Sequence, residues 1–246
     1  MTILDDGISL NAALERPEGK KKCPIVVLIH GFTGHMEERH ILAVKDALLQ
    51  CGCAVLRADM YGHGNSEGRF HDHNLFKWQN NALTLIDYAR SLDFVTDIYL
   101  CGHSQGGLTV MLAAALKRDQ IVAIIPLSPA WMIPEMARKG ELLGYHFDPE
   151  HIPDQLAAWG DRTLSGNYAR VAQSVCVEDA IDAYKGPVLI VHGDADEAVP
   201  VAYGIHAAMR YADADLVLIP GDTHCYDHSL EKVTEAVSTW MKQRIG

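Results

Sequence analysis

Six short apolar runs recur along the chain: Ile25–Ile29, Ala54–Ala58, Ile98–Cys101, Val122–Leu127, Pro187–Val191 and Asp215–Ile219. Runs without polar alternation mark strands buried on both faces, as in parallel sheets. Between them the apolar spacing becomes helical. Residues 37–50 carry apolar side chains at 41, 42, 44, 48 and 49, and residues 75–92 carry them at 75, 76, 78, 82, 83, 85, 86 and 89. Residues 105–117, 201–211 and 229–243 read the same way. Strands alternating with amphipathic helices imply βαβ units, hence an α/β fold with a doubly wound, mostly parallel sheet. Residues Ile8–Glu15 alternate weakly and are expected to form an antiparallel edge strand.

One stretch interrupts the alternation. From Pro129 to about Val175 no clean strand appears, and the segment holds Trp131, Tyr145, Phe147, Trp159 and Tyr168. A loop this long inside a compact fold is usually functional, so 130–175 is expected to be a small inserted lid. No linker or repeat divides the chain, and residues 1–246 are read as one domain.

Charge narrows the partners. Lys and Arg total 21 against 32 Asp and Glu, a net charge of -11 with histidine neutral, which disfavours a phosphate backbone as ligand. No apolar run reaches the ~18 residues of a membrane helix. The acidic start, MTILDDGISLN, lacks the basic and apolar regions of a signal peptide, so a cytoplasmic location is expected. The six cysteines form no CxxC pair and fit free thiols in a reducing compartment. Monomer and homodimer both stay open.

The strand at Ile98–Cys101 runs into Gly102-His103-Ser104-Gln105-Gly106-Gly107 and then a helical pattern. This is G-x-S-x-G between a strand and a helix. A nucleophile projected from so sharp a turn needs strained backbone angles, and glycines two residues before and after relieve the crowding. Ser104 then stands at a helix N-terminus, where negative charge is favoured.

A serine hydroxyl needs a base and an orienting acid. Two later strands end in suitable groups: His192-Gly193-Asp194-Ala195-Asp196-Glu197 and Gly221-Asp222-Thr223-His224. Loops beyond the carboxyl ends of parallel strands converge over one sheet edge, so Ser104, Asp196 and His224 are expected to meet there. Asp194 and Glu197 compete as the acid, but Asp194 lies near the strand end and suits a turn cap. His228 competes as the base but precedes the last helix. His103 is expected to pack beside the nucleophile without taking part. His71-Asp72-His73 has no further ligand nearby and reads as a solvated loop rather than a metal pair. The oxyanion hole needs two backbone N–H groups. Gln105 is expected to give one, and Phe32, in His30-Gly31-Phe32-Thr33-Gly34, the other.

These residues, together with Asp59–Ser66 and His192-Gly193-x-x-Asp196-x-x-Val199-Pro200, resemble the α/β-hydrolase superfamily from residue 30 to 224. Within it the chain resembles bacterial cinnamoyl or feruloyl esterases, with monoacylglycerol-lipase-like relatives sharing the core motifs. The resemblance implies a serine carboxylesterase without metal or organic cofactor. Its partner is then a small aromatic ester. Trp159 and Tyr168, then Trp131 and Tyr145, are expected to wall a flat phenylpropenoyl group. An esterase of short or medium acyl chains and a catalytically silent binding protein are the alternatives.

Overall fold

The computed structural model describes residues 1–142, 144–158 and 160–245. Its main sheet has eight strands: β1 (Thr2–Asp5), β2 (Ile8–Glu15), β3 (Cys23–Ile29), β4 (Ala54–Ala58), β5 (Val95–His103), β6 (Ile121–Leu127), and, after four short strands in the insert, β11 (Val188–Gly193) and β12 (Ala214–Ile219). The spatial order is β1-β2-β4-β3-β5-β6-β11-β12. From β4 to β12 every neighbouring pair is parallel. The pairs β4–β2 and β2–β1 are antiparallel.

Period-2 geometry divides each central strand between two cores. Ile25, Val27 and Ile29 join one cluster, and Val26 and Leu28 the other. On the second face lie α1 (Arg39–Gln50) and the last helix, α8 (Leu230–Lys242), through Ile41, Val44, Leu48, Val233, Val237 and Trp240. The first face carries α2 (Leu75–Arg90), α3 (Gln105–Leu116), α6 (Val177–Ala183) and α7 (Val201–Arg210). Helix α3 is apolar all round and buried on nearly every side, which suits a helix wedged between a sheet and two other helices. Full burial of each Val, Leu or Ile on these faces contributes ~1.5–3 kcal/mol, which holds the central strands flat against their helices.

Residues 8–15 do pair antiparallel, but they are not the edge. Strand β1 lies outside them, joined by Asp6-Gly7 with φ of 46° and 82°. Both values are positive, the condition for a two-residue hairpin turn, and Asp-Gly supplies it. The insert between β6 and α6 holds α4 (Ile133–Arg138), two small antiparallel hairpins, β7–β8 (Glu141–Leu142, Tyr145–His146) and β9–β10 (Gln155–Ala157, Thr163–Ser165), and α5 (Asn167–Ser174).

Candidate active site

Ser104 joins β5 to α3 with φ 57° and ψ -119°, the strained conformation that the G-x-S-x-G spacing demands. A Cβ on Gly102 would collide with the Gly106 carbonyl, and one on Gly106 would collide with the carbonyls of His30 and Ile29. The loop after β3 presses on Ser104 as well: a Cβ on Gly31 would lie 3.2 Å from Ser104 Cβ. The Ser104 backbone is tied on both sides, its N–H to the Leu127 carbonyl at 2.9 Å and its carbonyl to the N–H groups of Leu108 and Ala130. Its hydroxyl takes no protein partner among the described residues and borders a cavity that His224 also lines.

The loops after β11 and β12 meet as expected. His224 Nδ1 lies 2.7 Å from Asp196 Oδ2. The Asp196 side chain is fully buried, yet its other oxygen accepts the N–H groups of Ala198 and Val199 at 2.9 and 2.8 Å. Burial works against its charge. The close contact with His192 Nε2, 3.3 Å away, and hydrogen bonds from His224 and from the Val199 N–H outweigh it and hold the carboxyl far below its usual range. An ionised carboxylate is what fixes the Nδ1–H tautomer and leaves Nε2 free to take a proton. Asp194 is exposed and caps the turn, accepting the Gly221 N–H at 2.6 Å. Glu197 is exposed at the cavity rim, and His228 sits at the entry to α8, donating only its backbone N–H to Asp222. Asp196→Asn is therefore expected to lower kcat by about 10⁴ through the wrong imidazole tautomer. Asp194→Asn should leave kcat within about threefold, since surface turn contacts carry little. Steady-state kinetics of the two variants decide, and the reverse ranking would move the acid to Asp194.

Four residues support the Asp196–His224 pair, and three of them, Asp222, His192 and His40, carry no signal in the sequence. Buried Asp222 accepts the N–H groups of Thr223, His228 and Ser229 and so shapes the loop that carries His224. His192 donates from Nε2 to the Val199 carbonyl at 3.0 Å and so steadies the turn that carries Asp196. His103 donates from Nε2 to the His224 carbonyl at 2.8 Å, which leaves its Nδ1 bare to accept from His40 Nε2 at 3.1 Å. His103 thus packs beside Ser104, and through the His224 carbonyl it also anchors the loop that carries His224. Asp222 and His192 follow strands at positions open to many roles, and His40 lies in a helix far from any motif.

Of the two expected oxyanion donors, Gln105 directly follows Ser104 and Phe32 borders the same cavity. Gln105 is the first residue of α3, where the N–H has no intrahelical acceptor. Phe32 lines the cavity with Gly31, Thr33 and Gly34. Behind this loop His30 donates from Nδ1 to the Gly31 carbonyl and accepts the Met60 N–H at Nε2.

The family model described as serine aminopeptidase, S33, matches residues 20–154, from β3 through the elbow into the insert. The chain belongs to this family of α/β hydrolases. A solved structure described as ferulic acid bound to Est1E from Butyrivibrio proteoclasticus is 63% identical, with a TM-score of 0.98 over 99% of this chain and 98% of that one. The palmitoyl-protein thioesterase ABHD10 of Mus musculus is 25% identical over 85% of this chain and 70% of that protein. A monoacylglycerol lipase of Mycolicibacterium smegmatis is 27% identical over 88% of this chain and 87% of that protein.

In this hydrolase the cavity holds about 300 Å³, and Met132, Ile133, Val199 and Phe32 form its apolar wall beside Ser104 and His224. Three of the insert's aromatic side chains, Tyr168, Trp131 and Tyr145, stand outside this lining. Tyr168 is fully buried behind the wall, with its hydroxyl on the Gln105 side chain. Trp131 packs edge-on against Tyr203 and donates to its carbonyl at 2.8 Å. Tyr145 is half-exposed on a hairpin, its hydroxyl on the Ala158 carbonyl. Trp159 lies outside the described residues. Tyr168, Trp131 and Tyr145, expected to wall the acyl group, are thus not among the residues that line this cavity, and each bonds its polar end to protein instead. His71 does bond Asp72, but His73 is not in a solvated loop: it is buried, donates to the Phe70 carbonyl and lies against Phe32. Among the described residues no helix is long and apolar enough to cross a membrane.

Proposed function

We propose that the protein is a carboxylesterase that cleaves esters of hydroxycinnamic acids through an acyl-enzyme on Ser104, with the whole chain acting as one hydrolase unit and 130–175 as its lid. The observation that carries the chemistry is the buried, hydrogen-bonded Asp196–His224 couple sharing a cavity with a strained, unpartnered serine. The acyl preference is supported by the 63% identity to Est1E, a protein solved with ferulic acid bound.

The steps follow from the groups present. His224 Nε2 takes the Ser104 proton as Oγ attacks the ester carbonyl. Asp196 keeps the imidazole oriented and offsets the imidazolium charge. The N–H groups of Phe32 and Gln105 meet the oxyanion. The imidazolium then protonates the leaving alcohol. Water, deprotonated by His224, attacks the acyl-enzyme and releases the acid, and the proton returns to Ser104. The apolar wall excludes water from the acyl side, which strengthens each of these polar contacts.

A panel of esters tests the reading. Methyl ferulate is expected to be turned over with a kcat/KM at least about tenfold above that of a butyrate ester, the gain of roughly 1.4 kcal/mol that a fitted acyl wall supplies. The cavity wall is aliphatic apart from Phe32, and the monoacylglycerol lipase relative keeps an aliphatic-ester reading as the alternative. Preference for butyrate or a monoacylglycerol would select it.

A further inference from the structure

Phe32 and Gln105 come from distant parts of the chain, yet one side chain touches both. Tyr168, on α5 of the insert, donates its hydroxyl to Gln105 Oε1 at 2.5 Å. Its ring stands edge-on to Phe32, with centroids 5.9 Å apart. It also meets His73 at 5.2 Å, and His73 in turn lies 5.2 Å from Phe32. Burial pushes the Tyr168 hydroxyl well above its ordinary range, so it remains a donor. Gln105 Nε2 has no hydrogen-bond partner among the described residues, which makes the Tyr168 bond the tie that holds this buried carboxamide.

We propose that Tyr168 is a positioning residue that sets the oxyanion hole, its ring fixing Phe32 and its hydroxyl fixing Gln105, so that seating the insert on the sheet and completing the hole are one event. The proposal rests on the esterase reading and deepens it by giving the insert a role in turnover of every ester. An oxyanion donor works only within a few tenths of an ångström of its position. Gln105 is the first residue of α3, so a carboxamide released from Tyr168 would turn the peptide that carries the donor N–H. Every ester makes the same oxyanion. Loss of Tyr168's hydroxyl therefore falls on kcat whatever the acyl group. A substrate-wall residue would instead raise KM, and only for aromatic esters.

Tyr168→Phe removes the hydroxyl and keeps the ring. Its kcat is expected to fall about 5- to 50-fold, less than the 10²–10³ of a lost oxyanion donor. Methyl ferulate and p-nitrophenyl acetate should lose equally, with KM unchanged within about twofold. Gln105→Met, which keeps the backbone N–H, should give a similar loss, and the double variant no more than the larger single one. Unchanged kcat, multiplying losses in the double variant, or a KM effect confined to methyl ferulate would each overturn the proposal. Fluorophosphonate labelling of Ser104 in wild type and all three variants separates this from the parent reading: absent labelling of wild-type Ser104 counts against the parent reading, whereas labelling with an unchanged kcat in the variants removes the tie alone. If Tyr168→Phe proves unstable, Gln105→Met alone still decides, since equal kcat losses on both esters support the tie and an unchanged kcat removes it.

Discussion

Replacing Ser104 with alanine is expected to lower kcat on any accepted ester by roughly 10⁴–10⁶, with the thermal midpoint nearly unchanged. The two halves of this expectation have separate grounds. In the proposed mechanism the activity loss follows because the hydroxyl is the atom that forms the acyl bond, and neither His224 nor the proposed oxyanion donors can replace it. Some rate above the background, roughly 10³–10⁴-fold, should survive in the alanine variant from the hole and from binding. The stability half follows from local geometry. The Ser104 hydroxyl makes no hydrogen bond to another protein group among the described residues, so its removal leaves no buried partner unpaired. Alanine keeps the Cβ, and hence the same strain at φ 57°. Kinetics with a purified variant, together with its melting curve, test both halves. Activity within tenfold of wild type would place the nucleophile elsewhere. A large fall in the melting midpoint would mean that the elbow depends on the hydroxyl in a way the hydrogen-bond pattern does not indicate.

Much of the frame was legible because it depends on short-range physics. Continuous apolar runs give strands such as β3 and β11, and a glycine-flanked serine between a strand and a helix gives the elbow. The order of Asp196 and His224 along the chain follows from where parallel strands end. The outer hairpin was also written locally, in Asp6-Gly7, but β1 is only four residues long and alternates too briefly to show a period. The support shell is different in kind. His40 reaches His103 from another helix, and His192 reaches Asp196 through a turn. Neither pairing has a spacing signature, because it exists only once the sheet is assembled. The surroundings of Tyr168 were hidden for the same reason. A tyrosine among small residues looks free, but Tyr168 finds a buried acceptor 63 positions away in Gln105.

Acid is expected to unfold this protein above the carboxylate range, with stability falling steeply from about pH 6.5 towards pH 4. Five buried histidines are the reason. Burial first, and then the neighbouring His224 and Arg39, hold His40 at about 4. Burial, with His63 as the leading neighbour, holds His30 and His73 at about 3. Burial, offset in part by a bond to the Tyr61 carbonyl, holds His63 at about 4. His103 lies well below its ordinary value, through burial and then His40 and His224. Each titrates at 6.5 in the unfolded chain. Above that pH both states are neutral and nothing is lost. Below it the unfolded chain takes up protons that the folded one refuses, so each histidine removes roughly 1.4 kcal/mol of stability per pH unit. Five acting together rival a total stability of ~5–15 kcal/mol within about two units. Glu38 opposes them, because burial raises its carboxyl and the folded state binds that proton first, but it is one group against five. Urea melts between pH 7.5 and 4.5 measure the slope directly. An unfolding midpoint that holds steady down to pH 4.5 would show that these imidazoles are reached by water, and the neutral histidine layer behind the loop of Phe32 would have to be redrawn.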